Sequence, residues 1–153
     1  MPTDFDVPKT DRSFAARFFN DTWGYLDKTS RTEDETDAMI HCCHASFHHW
    51  SRLADATRTN IAVGYWQLAR VYAVAGKGPE AQKYARLCLK SAGAPNAEQW
   101  VMGSAHEAMA RAAAVRGDRS AREEHIAAAR VVAENVKDEE TRATLMGDIE
   151  SVP

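Results

Sequence analysis

At 153 residues, with 44% hydrophobic and 27% charged side chains, the chain has the length for one domain whose core needs neither disulfides nor metal. A formal net charge of -3 weighs against the broad basic surface of a nucleic-acid binder. No apolar run reaches the ~18 residues of a membrane span, the N-terminus lacks the charged start and apolar core of a secretory signal, and Cys42, Cys43 and Cys88 make no disulfide framework, so a cytoplasmic protein away from membranes is expected.

Residues 1–10 hold two prolines and few apolar positions and read as an N-terminal arm. Residues 11–153 read as a single helical domain, because Ala, Leu, Arg, Glu and Met dominate and β-branched runs with strict alternation are absent. The expected helices cover about 12–28, 33–54, 59–75, 79–91, 97–116, 119–135 and 139–150. Thr32 with Glu35 has the pattern of a capping box before the second helix. Gly76 can end the third, and Pro79 suits the first turn of the fourth. Asn96 with Gln99 opens the fifth, Gly117-Asp118 closes it and caps the sixth, and Asp138 caps the last. Short connections predict antiparallel hairpins.

A repeat with an offset of 41 runs through the middle of the chain: Leu68 falls on Met109, Ala69 on Ala110, Arg70 on Arg111, Tyr72 on Ala113, Gly76 on Gly117 and Cys88 on Ala129. In the first copy, Tyr65, Leu68, Ala69, Tyr72, Gly76, Ala81 and Cys88 sit at the spacings of a tetratricopeptide repeat, and residues 59–135 resemble that family. The second copy departs from the pattern, with His106 in the aromatic place and Arg122 where a small residue is usual. The period exceeds the family's by about seven residues, around "SAGAPNAEQW". The resemblance implies an all-α fold of about seven helices, antiparallel hairpins in a short tetratricopeptide-like right-handed array.

"MIHCCHASFHHW", residues 39–50, holds four of the six histidines. At about 100° per residue, Ile40, Cys43, Phe47, Trp50 and Ala54 form the apolar stripe expected to face the core. His41, His44 and His48 gather on a separate stripe with Asp37, while His49 points elsewhere and is expected to be solvated. Two of the three could hold one divalent ion with a further ligand from a facing helix, such as His106 or Glu107. Packing or surface histidines are the competing account. A cysteine–histidine catalytic pair would need an orienting third group and an oxyanion site, and none can be placed, so no catalytic residue is assigned.

The resemblance also implies a groove lined by the first helix of each pair. Carried over position by position, Trp66 and Arg70 face it from the first copy, and Glu107 and Arg111 from the second. Two adjacent guanidiniums could receive a carboxylate or phosphate, with Trp66 as an apolar or cation–π wall. Alternatively, Glu107 neutralises one or both in an inter-helix salt bridge. The expected function is therefore a small non-enzymatic protein–protein or peptide interaction module, self-associating through a face such as Leu145, Met146 and Ile149. The competing expectation is a metal-binding helical protein, a hydrolase or transferase, using His41, His44 and His48.

Overall fold

The computed structural model describes residues 6–153. Its elements there are all α-helices: α1 Val7–Leu26, α2 Glu33–Arg52, α3 Arg58–Val74, α4 Gly78–Ala92, α5 Trp100–Val115, α6 Arg119–Glu134 and α7 Glu139–Glu150. The chain divides into two compact units, residues 1–56 and 57–153.

The first unit is the hairpin of α1 and α2. Helix α1 starts five residues before its expected position, because Asp6 caps it by accepting from the Lys9 amide at 3.0 Å and Pro8 lies in its first turn. Of the arm expected over 1–10, residues 1–5 lie outside the described residues and 7–10 are helical. Helix α2 opens on the expected capping box, with Glu35 N–H donating to the Thr32 hydroxyl and the Thr32 amide donating back to the Glu35 carboxylate. Its buried residues are Met39, Cys43 and Ser46. The expected stripe is thus turned by about one position: Cys43 is buried, Ile40, Phe47 and Trp50 are half-buried, and Ala54 is exposed beyond the helix end. On the inward face the Ser46 hydroxyl donates to the Ala15 carbonyl of α1 at 2.8 Å, so that buried polar group is satisfied.

In the second unit α3 packs on α4, α5 packs on α6, α4 and α3 both lie against α5, and α7 packs on α5 and α6. Both hairpins turn on a glycine in the left-handed region, Gly76 at φ 73° and Gly117 at φ 74°. Each turn closes with the paired bonds of a Schellman motif. The Lys77 amide donates to the Tyr72 carbonyl and the Asp118 amide to that of Ala113, both at 2.9 Å. Small residues bring the helices close: Ala62, Ala69, Ala105, Ala108 and Ala110 are all buried. The connection from α4 to α5, residues 93–99, is longer than the turns within the hairpins. The expected Asn96/Gln99 cap does not form there, and α5 starts at Trp100; the Glu98 amide is held instead by the Thr59 hydroxyl of α3 at 2.9 Å.

Helix α7 seats Leu145 and Ile149 against Ala129 and Ala133 of α6. Leu145 also comes so close to Gly103 that a Cβ there would lie 2.6 Å from its Cδ2. That glycine lets α7 lie directly on α5.

Candidate functional site

Trp66, Arg70, Glu107 and Arg111, the four groove positions named from sequence, meet on the shared face of α3 and α5. The repeat sets this, because equivalent positions of neighbouring hairpins project onto the same face. Glu107, 1% exposed, is the hub. Its Oε2 accepts from the Trp66 indole N–H at 2.7 Å, and its Oε1 accepts from Arg111 Nε at 2.7 Å and Arg70 Nη2 at 3.2 Å. The Arg70 guanidinium also lies 5.1 Å from the centroid of the Trp66 ring.

The face is not open, however, because the end of α7 covers it. Arg70 Nη2 donates to the Asp148 carboxylate at 3.0 Å. Arg111 Nη2 donates to the Ser151 hydroxyl at 2.7 Å and the Asp148 carbonyl at 3.3 Å, while its Nη1 reaches the Ser151 carbonyl. Two guanidiniums therefore face two carboxylates, the balance expected for buried charge. Burial lowers the proton affinity of Arg111, with Glu107 opposing, and raises the Asp148 carboxyl, with Arg70 opposing. Asp148 and Ser151 were not anticipated. The sequence signal was present: Asp148 falls within the Leu145–Ile149–Val152 face, and those three apolar residues are all buried.

The histidine stripe on α2 has a different setting. His41 and His48 are exposed and His44 is half-buried. Among the described residues no group of three or more histidine, cysteine, aspartate or glutamate side chains gathers in a way that could hold a metal ion. His49, expected to be solvated, instead faces α1. Its Nδ1 lies 2.7 Å from the buried carboxylate of Asp11, which Arg52 Nε also reaches at 3.2 Å. The His49 contact and the nearby arginine lower the Asp11 pKa. Burial pushes the Cys42 and Cys43 thiols upward, away from the thiolate a nucleophile needs.

One pair was missed from sequence as a pair. His106 of α5 and His125 of α6 approach with Nδ1 atoms 3.0 Å apart, both rings half-buried. The offset of 41 could have found them, since it maps Tyr65 onto His106 and Tyr84 onto His125. A further cleft of about 550 Å³ lies beside the α3/α4 hairpin, where Arg58, Tyr65, Leu87 and Lys90 face Pro95 and Asn96 of the long connection.

Compared with family models, with curated proteins and with solved structures, the chain matches none.

Proposed function

We propose that residues 57–153 act as a tetratricopeptide-like, non-enzymatic interaction module whose α3/α5 face receives the end of a helix bearing a carboxylate and, three residues later, a hydroxyl. The observation that carries this reading is the seating of Asp148 and Ser151 on Arg70 and Arg111. It supplies an example of the ligand chemistry that the face accepts. A charge-assisted bond to each guanidinium gives direction, and the Trp66–Glu107 bond fixes the floor beneath. Helix α7 is then a resident ligand, and a partner gains access by taking its place. A second copy of the chain could supply α7 in the same way, which is the route to self-association by exchange of an identical element.

The test uses the full chain carrying Leu145→Ala and Ile149→Ala, substitutions that remove the apolar seat of α7 and leave the arginines in place. A fluorescein-labelled peptide spanning residues 138–153 should bind this variant more tightly than the parent chain, by fluorescence anisotropy. Asp148→Asn in the peptide should weaken binding about tenfold, the loss of one charge-assisted bond. Absence of peptide binding to a variant still helical by circular dichroism would overturn the reading. Light scattering over a range of concentrations separates self-exchange from binding of a different partner.

A further inference from the structure

We propose that His106 and His125 form a two-imidazole site for a divalent transition ion of the zinc, nickel or copper type, which clips α5 to α6. The two Nδ1 atoms stand 3.0 Å apart and the ring centroids 5.2 Å apart, with the planes tilted by 30°. The rings therefore meet nitrogen to nitrogen, edge on, and in the neutral pair one Nδ1–H donates to the other Nδ1. A proton occupies the place between two lone-pair positions that a metal ion could take. A zinc–nitrogen bond is about 2.0–2.1 Å, so two nitrogens on a tetrahedral ion stand roughly 3.4 Å apart. Opening the pair by a few tenths of an ångström is enough. The ring that carried its proton on Nδ1 then carries it on Nε2, with no net loss of protons. Both lone pairs then face the ion.

A comparison within the chain points to a ligand beyond simple packing. The equivalent joint of the α3/α4 hairpin is Tyr65 against Tyr84, with ring centroids 6.4 Å apart and planes at 26°. Tyr84 also stacks on Tyr72, with centroids 5.4 Å apart, so phenol rings pack at this place in α3/α4, whereas the two imidazoles of α5/α6 bring a ligating nitrogen to each position. Imidazole nitrogen selects zinc, copper and nickel over magnesium and calcium, whose preferred ligands are oxygen. Water would fill the remaining positions.

The experiment is calorimetric titration of untagged, chelator-stripped full chain with zinc and with nickel, alongside thermal unfolding. One equivalent should bind and raise the melting temperature. His106→Tyr with His125→Tyr, which copies the ring pair of the first hairpin, should abolish both effects, whereas His44→Ala with His48→Ala should leave them unchanged. No binding to the parent chain overturns the proposal. So does binding that survives the tyrosine pair or disappears with the α2 pair. Should the tyrosine variant fail to fold, nitrogen-15 spectra of the parent chain decide the matter. Zinc must then shift the Nδ1 resonances of His106 and His125, and unshifted resonances overturn the proposal equally.

Discussion

The hairpins α3/α4 and α5/α6 turn on matching left-handed glycines, yet positions 41 residues apart carry contrasting chemistry. Where the first hairpin has Trp66, the second has Glu107, and the two are joined by a hydrogen bond of 2.7 Å. Where the first has Tyr65 and Tyr84, the second has His106 and His125. Where the first buries Ala62, the second has Gly103 beneath Leu145. A repeated backbone plan therefore fixes where a side chain projects. The neighbour it meets decides what residue can stand there. The second hairpin differs because α7 lies against it and because its buried glutamate answers two arginines.

The largest effect should come from Glu107. Glu107→Ala leaves two buried guanidiniums facing one carboxylate, and about 3–5 kcal/mol of stability should be lost in urea unfolding. Glu107→Gln keeps an acceptor for the Trp66 indole and should lose less. Equal losses for the two variants would show that the charge, and not the hydrogen bond to tryptophan, matters at this position.

Next is the pair Ala62 and Gly103. Gly103→Ala forces a Cβ against Leu145, a strain of about 1–3 kcal/mol, which should outweigh the ~1 kcal/mol that alanine gains over glycine in a helix. Adding Leu145→Ala should remove that strain, so the two substitutions should be non-additive in a double-mutant cycle. Additive losses would mean that α7 shifts freely on α5. Hydrogen exchange along α7 should rise in Gly103→Ala ahead of that in α3 and α4.

The two turn glycines should behave alike. Gly76→Ala and Gly117→Ala each place a Cβ in the left-handed region, at roughly 1–2 kcal/mol apiece. Costs that differ by more than the error would break the equivalence of the two turns.

The smallest effect concerns pH. The folded-state proton affinity of His106 lies below its unfolded value, so the unfolded chain binds more protons as the solution acidifies. The associated stability is present above about pH 6.5 and is lost as pH falls below that value and through the lower folded-state range. Parent and His106→Tyr/His125→Tyr chains should therefore differ in the slope of melting temperature against pH, with the parent steeper on the acid side. Parallel slopes would show that the joint does not titrate.

Much of the fold was legible because its signals are local. The Thr32–Glu35 capping box, Asp118 and Asp138 as caps, and Gly76 and Gly117 as helix stops all form as the residues suggest. Asp6 and Pro8 were equally local, but two prolines near one end read more readily as an arm than as a cap followed by a first-turn proline. That Trp66, Arg70, Glu107 and Arg111 come together was legible because repeat spacing projects them onto one face. Asp148 lies within the apolar Leu145–Ile149–Val152 face, but periodicity alone does not say which helices that face meets, so its pairing with Arg70 was not legible. The burial of Ser46 and the Asp11–His49 bond eluded the reading for a related reason: each depends on one polar partner from another helix. Periodicity reads the average character of a face and misses the single polar bonds made across it.

The Cys88 thiol donates to the Ala62 carbonyl at 3.2 Å and has its pKa pushed up to about 12 by burial. Cys43 is likewise buried in the α1/α2 hairpin. Alkylating reagents attack thiolates in contact with solvent, so neither sulfur is open to them while its hairpin is closed. Each unit thus carries its own clock. With Cys42 replaced by serine, the time course of labelling at Cys43 measures how often residues 1–56 open, and that at Cys88 measures the same for residues 57–153, in one tube and under native conditions.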